Sequence, residues 1–317
     1  MTTARDQKDS DMHLATNCLK WSVVALSCAA VTLGCKRNSS APSTEESTAA
    51  VKGHQTIQNI GSDTMVNVAQ AWAEQYAKVA QGISIEVSGG GTGVGVAALI
   101  NGTADIANCS RKIEPEEAEK AKKANGKDPK EFLVGFDGLA VYVHKSNPLE
   151  QISMQELADI YREGGPTNKW SELNVKIPGA EKDDIVRVSR QNNSGTYQYF
   201  RETVVGKKAD FKSGSLDMNG SKDVVELVAK TPGAIGYSGL GYATGSVKIL
   251  KISKNKGEPG VAPSIATVHD KTYPISRPLF MYTMGEPSFA AAKYVAWVMS
   301  KDGQSILEKT GYIPLPQ

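Results

Sequence analysis

Residues Ser189–Phe200 read SRQNNSGTYQYF: a cation, Arg190, then Gln-Asn-Asn-Ser-Gly-Thr, then an aromatic run. Small polar residues directly before a helix offer unpaired backbone N–H groups and a partial positive charge. Ser and Thr hydroxyls add rotatable donors, and glycine lets the backbone approach a ligand closely. Such a turn can hold an oxyanion without a metal. Two further stretches have the same character, GSDT at 61–64 and SGGGTG at 88–93, beside NNSGT at 192–196. Each follows a strand-like run and precedes a helical one. A single turn of this kind is more often only a helix cap. Three, one of them with Arg190 at the preceding strand end, point to a shared anion cradle. No GK[ST] follows either glycine-rich loop. SGGGTGVG meets dinucleotide-binding spacing only imperfectly, with Val94 in place of the last glycine, and has no clear acidic ribose partner.

The elements that must position these turns alternate in type. TIQNI precedes GSDT, and apolar residues at Val68, Ala69, Trp72, Tyr76 and Val79 then fall at helical spacing. ISIEV (83–87) and ADIA (104–107) read as strands, with a short helix over VAALI between them. Pro115 opens a solvated helix, FLVGFDGLAVYVH supplies one or two strands, and Ser153 with Glu156 forms a capping box. DIVRVSR (184–190) is a strand. SKDVVELVAKTPG is a helix capped by Ser221 and stopped at Pro232-Gly233. AIGYSGLGYA, VKILKI and YPISRPLFMYT are strand-like, and SFAAAKYVAWVMS is a closing helix. This alternation predicts an α/β fold with mainly parallel sheets and ligands at strand C-termini. Trp72, Tyr76, Tyr197, Phe200 and Trp297 are expected in the core.

The chain has 317 residues, 40% of them hydrophobic, with 36 Lys+Arg against 34 Asp+Glu. A net charge of +2 gives no argument for nucleic acid, and no basic run or zinc-finger spacing occurs. The N-terminus differs from the rest. Trp21–Gly34 carries no charge and ends at Cys35, with Lys36 following. That run has the length of a signal-peptide core and is short for a membrane span. Residues 1–35 therefore read as a leader, 36–53 as a flexible Ser/Thr/Ala-rich tether, and the globular part starts near His54. Cys18, Cys28 and Cys35 lie in the leader, so Cys109 is left as a small buried residue with no disulfide partner. The histidines show no metal-ligand spacing.

The blocks IGSDTM, SGGGTGVGVAALINGTADIANCSR, SRQNNSGTYQYF and GAIGYSGLGYA, in that order, resemble the solute-binding protein of the bacterial ABC-type phosphate uptake system. TLGC at Cys35 resembles a lipoprotein signal whose cysteine is lipidated. The resemblance implies a two-lobed periplasmic-binding-protein fold of type II, with the anion in the interlobe cleft. Lobe 1 is expected at 54–142 and 244–317, lobe 2 at 143–243. It further implies phosphate contacts from Ser62, Asp63, Thr64, Thr92, Ser110, Arg111, Arg190, Ser194, Gly195 and Thr196. Arg190 is the charge partner, and Arg111 either clamps the anion or pairs with Asp63. The best-known form of the family has an Asp at the position of Ser110 that accepts the phosphate proton. That departure leaves the acceptor open, with Asp63 the first candidate and Asp137 the second. A carboxylate there would favour phosphate over sulfate, which has no proton to give.

An anion site could also belong to a phosphatase, but no histidine lies in the three turns, and the Cys-x5-Arg loop of thiol phosphatases is absent around Cys109. The expected activity is therefore that of a monomeric, non-catalytic carrier with no cofactor. It would bind inorganic phosphate tightly outside the cytoplasmic membrane and deliver it to an ABC permease by hinge closure. The membrane would be met only through the lipid on Cys35. A tethered phosphate sensor is the alternative, and a phosphatase a more distant one.

Overall fold

A computed structural model describes residues 54–316. The leader 1–35, the tether 36–53 and the lipidation expected at Cys35 lie outside the described residues. The elements run β1 (Gln55–Gly61), α1 (Val66–Val79), β2 (Ile83–Ser88), α2 (Thr92–Ile100), β3 (Ile106–Cys109), α3 (Pro115–Asn125) and β4 (Pro129–His144). Then follow β5 (Gln151–Ser153), α4 (Met154–Tyr161), β6 (Val186–Arg190), α5 (Gly195–Phe200), β7 (Leu216–Met218), α6 (Ser221–Lys230) and β8 (Ala234–Gly239). The chain ends with β9 (Val247–Ile249), β10 (Lys251–Ser253), α7 (Ile265–His269), β11 (Ser276–Met284), α8 (Phe289–Val298) and α9 (Lys301–Lys309).

The main sheet has the order β2-β1-β3-β11-β4-β8-β6-β7, with β9 also on β4. Its two ends, β2-β1-β3 and β8-β6-β7, are parallel, as the alternation of strands and helices predicts. The middle is antiparallel, because β11 runs against both β3 and β4, and β4 runs against β8. The sheet is thus mixed rather than mainly parallel. The cause is β4, one 16-residue strand. Its residues 129–138 pair with β11 and its residues 139–144 pair with β8 and β9. It carries the chain from one half of the fold to the other.

Each half has its own apolar core. Trp72, Tyr76, Tyr294, Val298 and Leu307 belong to one, around α1, α8 and α9. Tyr161, Trp170, Phe200 and Tyr237 belong to the other, with the Phe200 and Tyr237 rings stacked 3.7 Å apart. Leu250, Ile252, Val268, Tyr273 and Ile275 also join this second core. Of the five aromatic residues expected inside, Trp72, Tyr76 and Phe200 are buried, while Tyr197 and Trp297 are only half-buried. Cys109 is buried, and burial pushes its thiol pKa up.

Local signals set many boundaries. The Ser153–Glu156 box caps α4 and Pro115 opens α3. Two expectations shift. The helix expected over VAALI begins at Thr92, so half of the glycine-rich stretch is helical, behind Gly91 at φ +105°. Ser221 is the first residue of α6 rather than its cap, which is Gly220. Among the described residues, no helix is long and apolar enough to cross a membrane.

Candidate anion site

The three turns meet. Ser62 ends the turn after β1, Thr92 opens α2, and Ser110 follows β3. Ser62 Oγ donates to Ser110 Oγ at 2.9 Å, and the Ser110 N–H donates to Thr92 Oγ1 at 3.1 Å. The Thr92 and Ser110 hydroxyls lie 3.3 Å apart. The start of α5 arrives from the other half of the fold against this group. A Cβ added to Gly195 would sit 2.5 Å from Thr92 Oγ1 and 2.6 Å from Ser110 Oγ, so only glycine fits. Asn193, one of the amides before that glycine, holds the approach. Its carbonyl accepts from Gly93 N–H at 3.1 Å, and its Nδ2 donates to the Gly90 carbonyl at 2.9 Å. Ser194 caps α5, its Oγ accepting from Thr196 and Tyr197 N–H at 3.1 and 3.4 Å. That leaves the Ser194 hydroxyl hydrogen to donate elsewhere. Thr64 and Thr196 share a hydrogen bond of 2.6 Å between their hydroxyls, across the two halves. Ser62, Thr64, Thr92, Ser110, Ser194 and Thr196 are all buried. The cluster is rich in hydroxyl donors, as an oxyanion requires.

Arg190, at the end of β6, is fully buried. It donates to the Met218 carbonyl from Nε at 3.3 Å, to Ser221 Oγ from Nη1 at 2.8 Å and to the Asn219 carbonyl from Nη2 at 2.8 Å. Its ion pair is with Asp63, Nη2 to Oδ2 at 3.4 Å. Of the five guanidinium hydrogens, one on Nη1 has no acceptor among the described residues. Burial depresses the Arg190 pKa, and Asp63 opposes that shift. Asp63 Oδ2 also accepts the Ser221 N–H at 2.6 Å. A carboxylate from one half thus caps the N-terminus of α6 in the other, where the helix dipole favours negative charge.

Arg111 stands apart. Its two terminal nitrogens make 2.7 Å hydrogen bonds to the two oxygens of Glu117 on α3. It pairs with neither Asp63 nor the hydroxyl cluster. Burial raises the Glu117 pKa, but the Arg111 bonds outweigh it and the net shift is downward. Asp137, fully buried on β4, accepts the Leu240 N–H at Oδ1 at 3.1 Å. At Oδ2 it accepts Nε and Nη2 of Arg277 at 3.2 and 2.8 Å.

Arg277 is the residue that sequence reasoning missed. It lies opposite Asp137 in the β11–β4 register, and its Nη2 also donates to Thr196 Oγ1 at 2.8 Å and Thr64 Oγ1 at 3.3 Å. Its Nη1 is buried without a partner among the described residues, as is Ser238 Oγ on β8. In sequence Arg277 sits inside a strand-like run with no small-residue turn, so only the strand pairing reveals it. Among the described residues, no group of three or more His, Cys, Asp or Glu could hold a metal.

Comparison with known proteins identifies relatives of this chain. The PBP superfamily domain matches residues 42–302. The phosphate-binding protein PstS of Pseudomonas aeruginosa is 33% identical over 270 residues, covering 82% of this chain and 83% of the relative. The protein of the same name from Staphylococcus aureus is 31% identical, covering 81% and 77%. Among solved structures, a phosphate ABC transporter substrate-binding protein from Clostridium perfringens, with bound phosphate, superposes with a TM-score of 0.73. It is 28% identical and covers 83% of this chain and all (100%) of its own. An ABC-type phosphate transport receptor from Vibrio cholerae gives 0.63 at 26% identity, covering 82% and 100%.

Proposed function

The chain belongs to the PstS family of phosphate-binding proteins within the PBP superfamily, and from that premise we propose that it binds inorganic phosphate between its two halves and presents it to an ABC permease. The observation that carries this reading is the meeting of three hydroxyl-bearing turns beside the buried Arg190 guanidinium. The proposed ligand set is Ser62, Thr64, Thr92, Ser110, Arg190, Ser194, Gly195 and Thr196. Arg111 drops out of it, because Glu117 takes both of its terminal nitrogens. Asp63 is proposed as a latch that holds the halves closed, since its carboxylate accepts from Ser221 and Arg190 of the other half. Asp137 then becomes the first candidate to read the phosphate proton. It is fully buried and one guanidinium away from the threonine hydroxyls.

The lobes are proposed to divide near residue 138 on β4, with the return at about 276, later than expected. Residues 250–275 pack with the second core, which supports that boundary. The leader and Cys35 support a place outside the cytoplasmic membrane with a lipid tether, and the phosphate-binding relatives support a carrier, proposed as a monomer, rather than an enzyme. Titration of the purified domain with phosphate, arsenate, sulfate and molybdate tests the ligand. Phosphate binding at one site per chain, with sulfate much weaker, is expected. No phosphate binding, or catalytic phosphate release from a model phosphoester, would overturn the reading.

A further inference from the structure

We propose that Arg277 is a second anion-binding cation of this site, donating from its Nη1 to the bound phosphate. This inference rests on the reading of the site as a phosphate site and adds a residue from outside the three turns. A guanidinium is planar and offers two two-nitrogen edges, Nε with Nη2 and Nη1 with Nη2. Asp137 occupies the first edge through Oδ2, at 3.2 and 2.8 Å. The second hydrogen of Nη2 belongs to the other edge and points at Thr196 Oγ1, 2.8 Å away. Planarity makes one Nη1 hydrogen point the same way. That nitrogen is buried and has no partner among the described residues. A buried charged donor left unpaired is costly, and a polar group in such a position calls for an acceptor.

The neighbouring hydroxyls indicate what that acceptor is. Thr64 Oγ1 and Thr196 Oγ1 lie 2.6 Å apart, and both accept from Arg277 Nη2. Two hydroxyls have two hydrogens, and only one lies between them. The other must turn away from the guanidinium and is free to donate. Arg277 therefore presents a donor nitrogen and orients a donor hydroxyl in one direction, which suits an oxygen-rich anion and repels a cation. Its position also matters. Arg277 and Asp137 face each other where β4 changes partner from β11 to β8, so one side chain touches hydroxyls from both halves of the fold.

The test is calorimetric titration of phosphate into wild type, Arg277→Gln, Arg277→Lys, Asp137→Asn and the double variant Asp137→Asn/Arg277→Gln, with the melting temperature of each measured without phosphate. The double variant replaces the ion pair by a neutral hydrogen-bonding pair, so it keeps the fold testable if the single variant fails to fold. We expect the double variant to melt close to wild type and to bind phosphate about 10²- to 10³-fold more weakly than wild type and also more weakly than Asp137→Asn, whereas equal affinity in those two variants would overturn the inference. Arg277→Lys should recover part of that loss. A double variant that folds and binds phosphate with near-wild-type affinity would make the pair purely structural and overturn the inference alone. A wild-type chain that binds no phosphate would overturn the underlying reading as well, and the two failures are therefore distinct.

Discussion

At the residue scale, the two acidic side chains of the site have different partners and should answer differently to the same change. Asp63 accepts from a helix N-terminus and from Arg190, both in the other half of the fold. An amide oxygen in place of Oδ2, which takes both of those bonds, could still accept them but would bring no charge to face the Arg190 guanidinium. Asp63→Asn is therefore expected to weaken phosphate and sulfate by a common factor of about ten to a hundred, the worth of roughly 1.5–3 kcal/mol for a charged hydrogen bond. Calorimetry with both anions checks this, and a changed phosphate-to-sulfate ratio would return the proton-reading role to Asp63. Asp137→Asn should change that ratio. Glu117 has a role in stability instead. Burial raises its pKa, the Arg111 bonds lower it by more, and the net folded value lies below the unfolded one. Its contribution is present in full above the unfolded carboxylate pKa and is lost as pH falls through the depressed folded value. Glu117→Gln should thus lower the melting temperature at neutral pH and narrow its gap to wild type under acid. Its phosphate affinity should stay unchanged.

At the scale of elements, the approach of α5 to the turn after β3 is a close constraint on the site. Gly195→Ala would drive a methyl group into Thr92 and Ser110, at 2.5 and 2.6 Å. The helix start must then retreat, and the hydroxyl cluster loses its wall. A loss of at least tenfold in phosphate affinity is expected, with little change in helix content by circular dichroism. Affinity within twofold of wild type would mean that α5 does not line the site. The same contrast explains what could be read from the sequence. Local rules found the three turns, the Ser153 cap and the Arg190 strand end, since each needs only neighbouring residues. The Asn193 amide appeared only as part of an overlong linker, because its partners Gly90 and Gly93 lie on another turn. Ser221 looked like a cap. The carboxylate that actually serves α6 comes from Asp63, 158 residues earlier. Arg277 and Asp137, 140 residues apart, meet only because β11 and β4 run antiparallel in one register. Arg111 and Glu117 are the opposite case. They are six residues apart across the start of α3, so that pairing was within reach of a local reading.

At the scale of the whole molecule, the contacts between the halves above β4 are mainly polar. They include Thr64 and Arg277 with Thr196, Asp63 with Arg190 and Ser221, Asn193 with Gly90 and Gly93, Tyr242 Oη donating to the Asp63 carbonyl at 2.7 Å, and Asn67 Nδ2 donating to the Gly241 carbonyl at 3.2 Å. The large aromatic clusters stay within their own halves except beside the crossing strands, where Phe136 and Ile313 of the first half pack on the second core. An interface of polar contacts between separate cores favours relative motion, with the crossing strands as the place that bends. Water can replace these hydrogen bonds in an open form at little cost. A phosphate bound to both halves cannot be so replaced. The ligand-free chain is therefore expected to be more open in solution than the phosphate complex, and small-angle scattering should record a smaller radius of gyration on saturation. Binding only the folded form at a thousand times Kd adds about 4.1 kcal/mol of stability, which for a domain of this size raises Tm by roughly 8–16 °C. Asn193→Ala removes one tie between the halves without touching the proposed ligand set. It should keep the compaction but demand more phosphate to reach it. A radius of gyration that does not change as Tm rises would show that phosphate enters a site already closed, and delivery would then need a different trigger.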